Sequence, residues 1–297
     1  PTTGRPSTSR TSRSARREAP IPTGAGFAPR PAGTMTMSPQ AGSGARVVKL
    51  IVPFPPGGVA DISARALASH FESELKQLVV VDNRSGASGT IGTAAALRAP
   101  ADGHTLLLAT PTSQIIAPML MEPRPYDGAR DFTAITLLFR FQGVLVVHAS
   151  LPVSSFSEFV SYAKQRPGKL NYASAGVGSI NHLLGELLKS RVGVDLVHVV
   201  YKSAPQAAQS LLSGDVHVLF DTVPNAQLWL RKGAVMVIAT GSDRRLVQMP
   251  DVPTLGELGV VDDSIEFWAG LVAPPGMSNS TVDRIHSAAA RALSTPD

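Results

Sequence analysis

No cysteine occurs in the 297 residues. Its absence excludes a disulfide framework, thiolate catalysis and cysteine-ligated zinc or iron–sulfur centres. No apolar run approaches the roughly 20 residues that a membrane-spanning helix needs, and the best, Val144–Val147 and Val235–Ala239, are strand-sized. The sequence also lacks a Gly-x-Ser-x-Gly elbow and a Walker loop. Gly176-x-Gly178 is not followed by the third glycine of a dinucleotide fingerprint, because Asn181 holds that place. The seven His are scattered without close metal spacing, with His198 and His217 expected inside strands and His104 at a strand start. No metal and no cofactor is therefore expected.

Hydrophobic residues make up 43% and charged residues 16%, with 26 Gly and 24 Pro, an ordinary globular balance. At roughly 150 residues per domain, the length suggests about two domains. The formal charge of +5 is local. Seven Arg (Arg5, Arg10, Arg13, Arg16, Arg17, Arg30 and Arg46) and one acid, Glu18, lie in the first 46 residues. The rest carries 20 bases against 21 acids. A near-neutral body gives no support for a nucleic-acid partner, which needs bases clustered on one face. Residues 1–45, rich in Ser, Thr, Pro, Gly, Ala and Arg without apolar periodicity, are expected to form a disordered leader. No secretory apolar segment is legible there, and the twin Arg16-Arg17 is followed by Glu18 and Pro20.

From Val47 onward short β-branched runs alternate with helical stretches. Strands are predicted at 47–53, 78–82, 104–109, 133–139, 143–148, 169–174, 195–201, 215–220, 234–240 and 267–273. Helices are predicted at 60–74, 88–98, 154–165, 179–190, 204–212, 224–231, 253–258 and 281–293. Such alternation argues for an α/β fold with mostly parallel sheets covered by helices. Ten strands suit two five-stranded sheets better than one.

In open α/β sheets ligands bind beyond the carboxyl ends of the strands, where helix N-termini converge. Four loops there carry small or hydroxylated residues. The first, Pro53-Phe54-Pro55-Pro56-Gly57-Gly58-Val59-Ala60-Asp61, has two glycines that permit close backbone approach. Asp61 serves the first turn of a helix equally well. The second is Thr110-Pro111-Thr112-Ser113-Gln114. The third, Ser174-Ala175-Gly176-Val177-Gly178-Ser179, has the composition of an anion nest before a helix bearing Asn181 and His182. His182 suits a ligand contact or a satisfied helix position. The fourth is Phe220-Asp221-Thr222-Val223-Pro224. Together they predict a site for one small polar ligand. None of the four contains Lys or Arg, so backbone N–H groups, hydroxyls and water are expected to bind its carboxylate. No nucleophile–base pair accompanies Asp61 or Asp221.

The segments VVKLIVPFPPGGVAD (from Val47), VVVDNRSGASGTIG (from Val79), DGHTLLL (from Asp102) and PGKLNYASAGVG (from Pro167) occur in one order. HLLGE (from His182), VHVVYK (from Val197), PDVPT (from Pro250) and WAGLVAPPG (from Trp268) follow in the same order. In this combination the chain, from about residue 46 to its last residue, resembles the Bug-type, TctC-like substrate-binding proteins. These are the extracytoplasmic receptors of tripartite tricarboxylate transporters.

The resemblance implies a two-lobed periplasmic-binding-protein fold of type II. Lobe one would comprise 46–142 plus 265–297, and lobe two 143–264. The implied ligand contacts are Phe54, Pro56, Gly57, Gly58 and Asp61, then Thr110, Thr112 and Ser113 from lobe one. From lobe two they are Ser174, Ala175, Gly176, Gly178, Ser179, His182 and Asp221. The family pattern carries Gly, His and Asn where this chain has Thr112, Gln114 and Ala117. Family members also continue past the position of Asp297, so the C-terminus is expected to be truncated.

The function implied is capture of a small organic acid or amino-acid-like ligand by a periplasmic monomer, for membrane permease components. No catalysis is expected. A ligand sensor feeding a signalling partner and an α/β enzyme with its cleft in the same place stand as alternatives.

Overall fold

A computed structural model describes residues 47–294 of the chain. The expected leader and the last three residues lie outside the described residues.

The first strand, β1 (Val48–Val52), is apolar at nearly every position because helices cover both of its faces. Val48, Leu50 and Val52 enter one core, whereas Ile51 points to the opposite face against Ala96 and Leu107. Helix α1 (Val59–Leu75) follows, and its Ala64, Leu67, Ala68, Phe71 and Leu75 recur at helical spacing on the side facing that core. It stops at Lys76, whose left-handed φ of 51° breaks the helical hydrogen-bond ladder. Next come β2 (Val79–Asn83), α2 (Thr90–Leu97) and β3 (Thr105–Ala109). A π-helical turn (Thr112–Ile116) then leads to the short α3 (Ala117–Met119).

Strand β4 (Thr133–His148) is 16 residues long. It is followed by α4 (Phe156–Lys164), β5 (Leu170–Ser174), α5 (Ile180–Val192), β6 (Leu196–Val200) and α6 (Ala204–Leu212). The chain continues through β7 (Val218–Thr222), α7 (Val223–Leu230), β8 (Val235–Thr240), β9 (Glu266–Ala273) and α8 (Asn279–Ser294). Serine hydroxyls cap three of these helices, Ser155 on α4, Ser179 on α5 and Ser203 on α6.

The strand order is β2-β1-β3-β9-β4-β7-β5-β6, with β8 also paired to β4. β1 pairs in parallel with β2 and β3, and β5 with β6 and β7. The pairings that involve β9 or β4 are antiparallel. The sheet is therefore mixed rather than mostly parallel, because β4 and β9 run against their neighbours.

Residues 133–139 and 143–148, expected as two strands, are the two ends of β4, so the described residues form nine strands rather than the expected ten. The β4 residues Phe139–Gln142 pair with Glu266–Ala269 of β9 and form a two-stranded ribbon. On one side of this ribbon lies the core built from β1, β3, α1 and α8, which includes Ile285, Ala288 and Ala289. On the other side β4 supplies Leu145 and Val147 to one core and Val144 and Val146 to another. The described residues form one compact unit. The helix expected at 253–258 is absent. That stretch forms turns, with Thr254 bridged to Thr240, and Pro253 and Gly256 work against a helix there.

Candidate functional site

Five loops leave the carboxyl ends of β1, β3, β5, β6 and β7 and surround one cavity of about 170 Å³. Four helix N-termini border it. Gly58 and Val59 begin α1, Ser179 and Ile180 begin α5, Ser203 and Ala204 begin α6, and Thr222 caps α7. Each presents backbone N–H groups and the positive end of a helix dipole, a convergence that favours an anion.

Seven of the sequence-predicted residues line the cavity: Phe54, Gly58, Thr110, Thr112, Ala175, Ser179 and Asp221. The other eight lie outside the lining. Pro56 and Gly57 sit exposed at the turn of the first loop. Asp61 is buried and ties that loop down: Gly57 N–H donates to its Oδ2 at 2.9 Å, Asn83 Nδ2 donates to its Oδ1 at 2.9 Å, and Arg65 pairs with it at 3.0 Å. Burial raises the Asp61 pKa, but the bonds from Arg65, Gly57 and Asn83 outweigh that and hold it below the usual value. Ser113 is buried and braces the second loop, accepting the Thr110 N–H at 3.2 Å.

In the third loop Ser174 Oγ both accepts from Gly176 N–H and donates to Gly176 C=O, each at 3.2 Å. His198 Nε2 lies 2.6 Å from the same hydroxyl. Gly178 N–H donates to His182 Nδ1 at 3.2 Å, and the His182 ring stacks on His198 with centroids 4.3 Å apart. His198 in turn stacks on Tyr172 at 4.7 Å. These contacts shape the loop from behind the cavity wall.

The Ser174–His198 pair is the kind of nucleophile–base contact that the sequence alone does not reveal. The two residues lie on the adjacent parallel strands β5 and β6, 24 positions apart in sequence. Ser174 is fully buried, does not line the cavity, and its hydroxyl is engaged in the loop. The geometry is that of a structural brace.

Asp221 is the acidic group of the cavity wall. Its Oδ1 accepts from Thr222 N–H at 2.6 Å and from Asn225 Nδ2 at 2.9 Å. Oδ2 accepts no hydrogen bond from the described residues. Burial pushes the carboxyl up to about 6, against the bonds from Thr222 and Asn225 that lower it. The wall also holds Lys202, from the loop between β6 and α6, outside the four loops read from the sequence. Lys202 forms no ion pair among the described residues.

The β4–β9 ribbon supplies the floor with Phe139, Phe141, Phe267 and Trp268. Sequence reading missed these residues, although a chain with 5% aromatics spends Phe139, Phe141, Phe267 and Trp268 on two short stretches. Among the described residues, no three of His, Asp or Glu approach closely enough to hold a metal ion.

Residues 63–297 match the family described as the tripartite tricarboxylate transporter family receptor. The chain belongs to this receptor family. BugT of Bordetella pertussis is 36% identical over 233 residues, 78% of this chain and 72% of that protein. The periplasmic binding protein BugD superposes with a TM-score of 0.77 at 32% identity, covering 84% of each chain. MatC from Rhodopseudomonas palustris, with bound malate, superposes with a TM-score of 0.78 at 32% identity, covering 85% of this chain and 86% of its own. The fold is therefore the α/β periplasmic-binding-protein fold, and the family role is solute binding.

Proposed function

We propose that this chain is a periplasmic solute-binding protein that captures a small carboxylate and presents it to the membrane components of a tripartite transporter. The cavity carries the ligand, and residues 47–142 with 265–294 form one lobe while 143–264 form the other. The observation that carries this reading is the meeting of four helix N-termini around one small cavity. Backbone N–H groups at helix starts bind carboxylate oxygens, and a concave site encloses most of a small ligand's surface.

The β4–β9 ribbon is the connection across which the lobes would rotate, and a ligand closes them only by binding the closed form better than the open one. The seven lining residues from the predicted set form the contact surface. Asp61, Ser113, Ser174 and His182 hold the loops in place.

The experiment is isothermal titration of the purified chain with small aliphatic and aromatic acids and their amides, paired with small-angle scattering. Binding of an acid but not its amide, with a fall in radius of gyration, is expected. Equal affinity for acid and amide refutes the carboxylate reading, and an unchanged radius at saturation refutes closure.

A further inference from the structure

The cavity floor is more apolar than a site for a polyacid requires. By strand register Phe139, Phe141 and Phe267 lie on one face of the ribbon: Phe139 opposes Ala269, and Phe141 directly opposes Phe267. The Phe139 and Phe141 rings are 5.2 Å apart and inclined at 33°. Phe54, from the loop after β1, adds a fourth phenyl to the lining. Phenyl groups in this arrangement offer both faces and edges to a planar ring, the geometries aromatic pairs prefer. The volume of about 170 Å³ is close to the roughly 150 Å³ of an apolar cavity that holds benzene.

The charges on the lining are few. Lys202 is its one cationic side chain and Asp221 its one anionic side chain. Lys202 and the helix N-termini account for a single ligand carboxylate. Asp221 Oδ2, with no donor among the described residues, lies ready to accept a hydrogen bond. A second ligand carboxylate at Asp221 would meet a like charge in a desolvated place, whereas a hydroxyl or amino group would satisfy it.

The geometry points to an aromatic monocarboxylate bearing a hydroxyl or amino donor as the ligand class, with its ring on the Phe139–Phe141–Phe267 floor and its donor on Asp221. This inference rests on the carboxylate reading above and narrows it. It also sets the chain apart from an aliphatic diacid receptor, although a relative holds malate.

The test is isothermal titration of the full chain at about pH 7.5 with 4-hydroxybenzoate, cyclohexanecarboxylate, adipate and malate. The expected result is 4-hydroxybenzoate binding at least about tenfold tighter than each of the other three. Adipate, malate or cyclohexanecarboxylate binding as tightly overturns the inference and leaves the carboxylate reading standing. Failure of all four acids to bind overturns both. Asp221→Asn is titrated with terephthalate, whose second carboxylate reaches the place of the hydroxyl. The variant is expected to bind it about tenfold tighter than the parent chain does, and an unchanged affinity overturns the role given to Asp221.

Discussion

The backbone N–H of Ile180 donates to Thr112 Oγ1 at 3.1 Å, joining the first turn of α5 to the loop after β3 across 68 positions of sequence. The Ser88 hydroxyl makes a second tie, to the Val177 carbonyl. Both bonds link the β1–β3 side of the molecule to the loop after β5, and both Thr112 and Ile180 line the cavity. They hold the two sides together and aim the start of α5 at the site. Thr112 stands where the resemblance leads one to expect glycine, which would have no hydroxyl to accept from Ile180.

Thr112→Val keeps the shape of the side chain and removes the acceptor. One net hydrogen bond is worth about 1 kcal/mol, which converts to a roughly fivefold loss in ligand affinity. Titration and unliganded small-angle scattering read the result: weaker binding and a larger radius of gyration are expected. A variant that binds as tightly as the parent removes the tie from any account of closure.

Asp221 gives a pH signature to stability. Its folded value is about 6 against 3.8 for an unburied Asp, so the folded chain binds more protons than the unfolded chain between about pH 4 and 6. Stability contributed by this group is therefore highest below that window and falls as pH rises through it. The difference amounts to about 3 kcal/mol at neutral pH. Asp221→Asn keeps an oxygen for Thr222 N–H and cannot ionise. It is expected to melt higher than the parent near pH 8 and to lose the slope between pH 4 and 6. Calorimetry across that range checks it, and a lower melting temperature at pH 8 contradicts the assignment.

Much of this architecture is legible in the sequence. Strands β1, β3 and β7 announce themselves by short apolar runs, Leu50–Val52, Leu106–Ala109 and Val218–Phe220, and α1 by its 3.6-residue pattern. The β4–β9 ribbon is less legible: Phe139–Gln142 alternates apolar and polar over only four residues, the shortest run that marks a strand, and Arg140 within it is exposed and paired at 3.7 Å with Glu266. The phenyl floor is hidden because alternation places Phe139 and Phe141 on one face but does not reveal that Phe267, far along the chain, pairs beside them. Lys202 escapes notice because its loop is not rich in small residues. For Asp61 and His182 the residue type suits a ligand contact, and three-dimensional placement shows the bonds they make within the loops, outside the cavity lining.

Asp61 is expected to matter through the loop it anchors. Asp61→Ala strips partners from Gly57 N–H, Asn83 and Arg65 at once. The part-buried Gly57 and Asn83 bonds cost about 1 kcal/mol each to lose, while the half-exposed Arg65 side of the ion pair adds little. Because the folded pKa is lowered, the contribution is present above the ordinary value of 3.8 and is lost as pH falls through the folded one. A drop in melting temperature together with faster hydrogen exchange at residues 54–58 is expected. Intact protection there would show that the loop is held by its two flanking elements alone.

The stack Tyr172–His198–His182 leads to the last prediction, which concerns acid. Burial lowers the His198 pKa, and the nearby His182 lowers it further, while Glu186 pulls the other way and Lys189 adds to the lowering. His198 is thus neutral at physiological pH, 2.6 Å from the Ser174 hydroxyl that braces the cavity loop. Gly178 N–H, at the other end of that loop, donates to His182 Nδ1 at 3.2 Å. With a folded pKa below 6.5, the unfolded chain takes up protons first. Stability from His198 is therefore complete above about pH 6.5 and declines as pH falls toward the folded value. His198→Phe retains a ring in the stack and cannot protonate. Losing the Ser174 partner is expected to cost about 1 kcal/mol near pH 8, while the decline below pH 6.5 flattens. Asp221 acts with the opposite slope in part of this range, so the comparison is made in Asp221→Asn chains with and without His198→Phe. Parallel stability curves for the two from pH 5 to 8 would remove His198 as the titrating group. Ala175 and Ser179 of the braced loop line the cavity, so ligand affinity is expected to fall along the same acid limb and to fall less in the Phe variant.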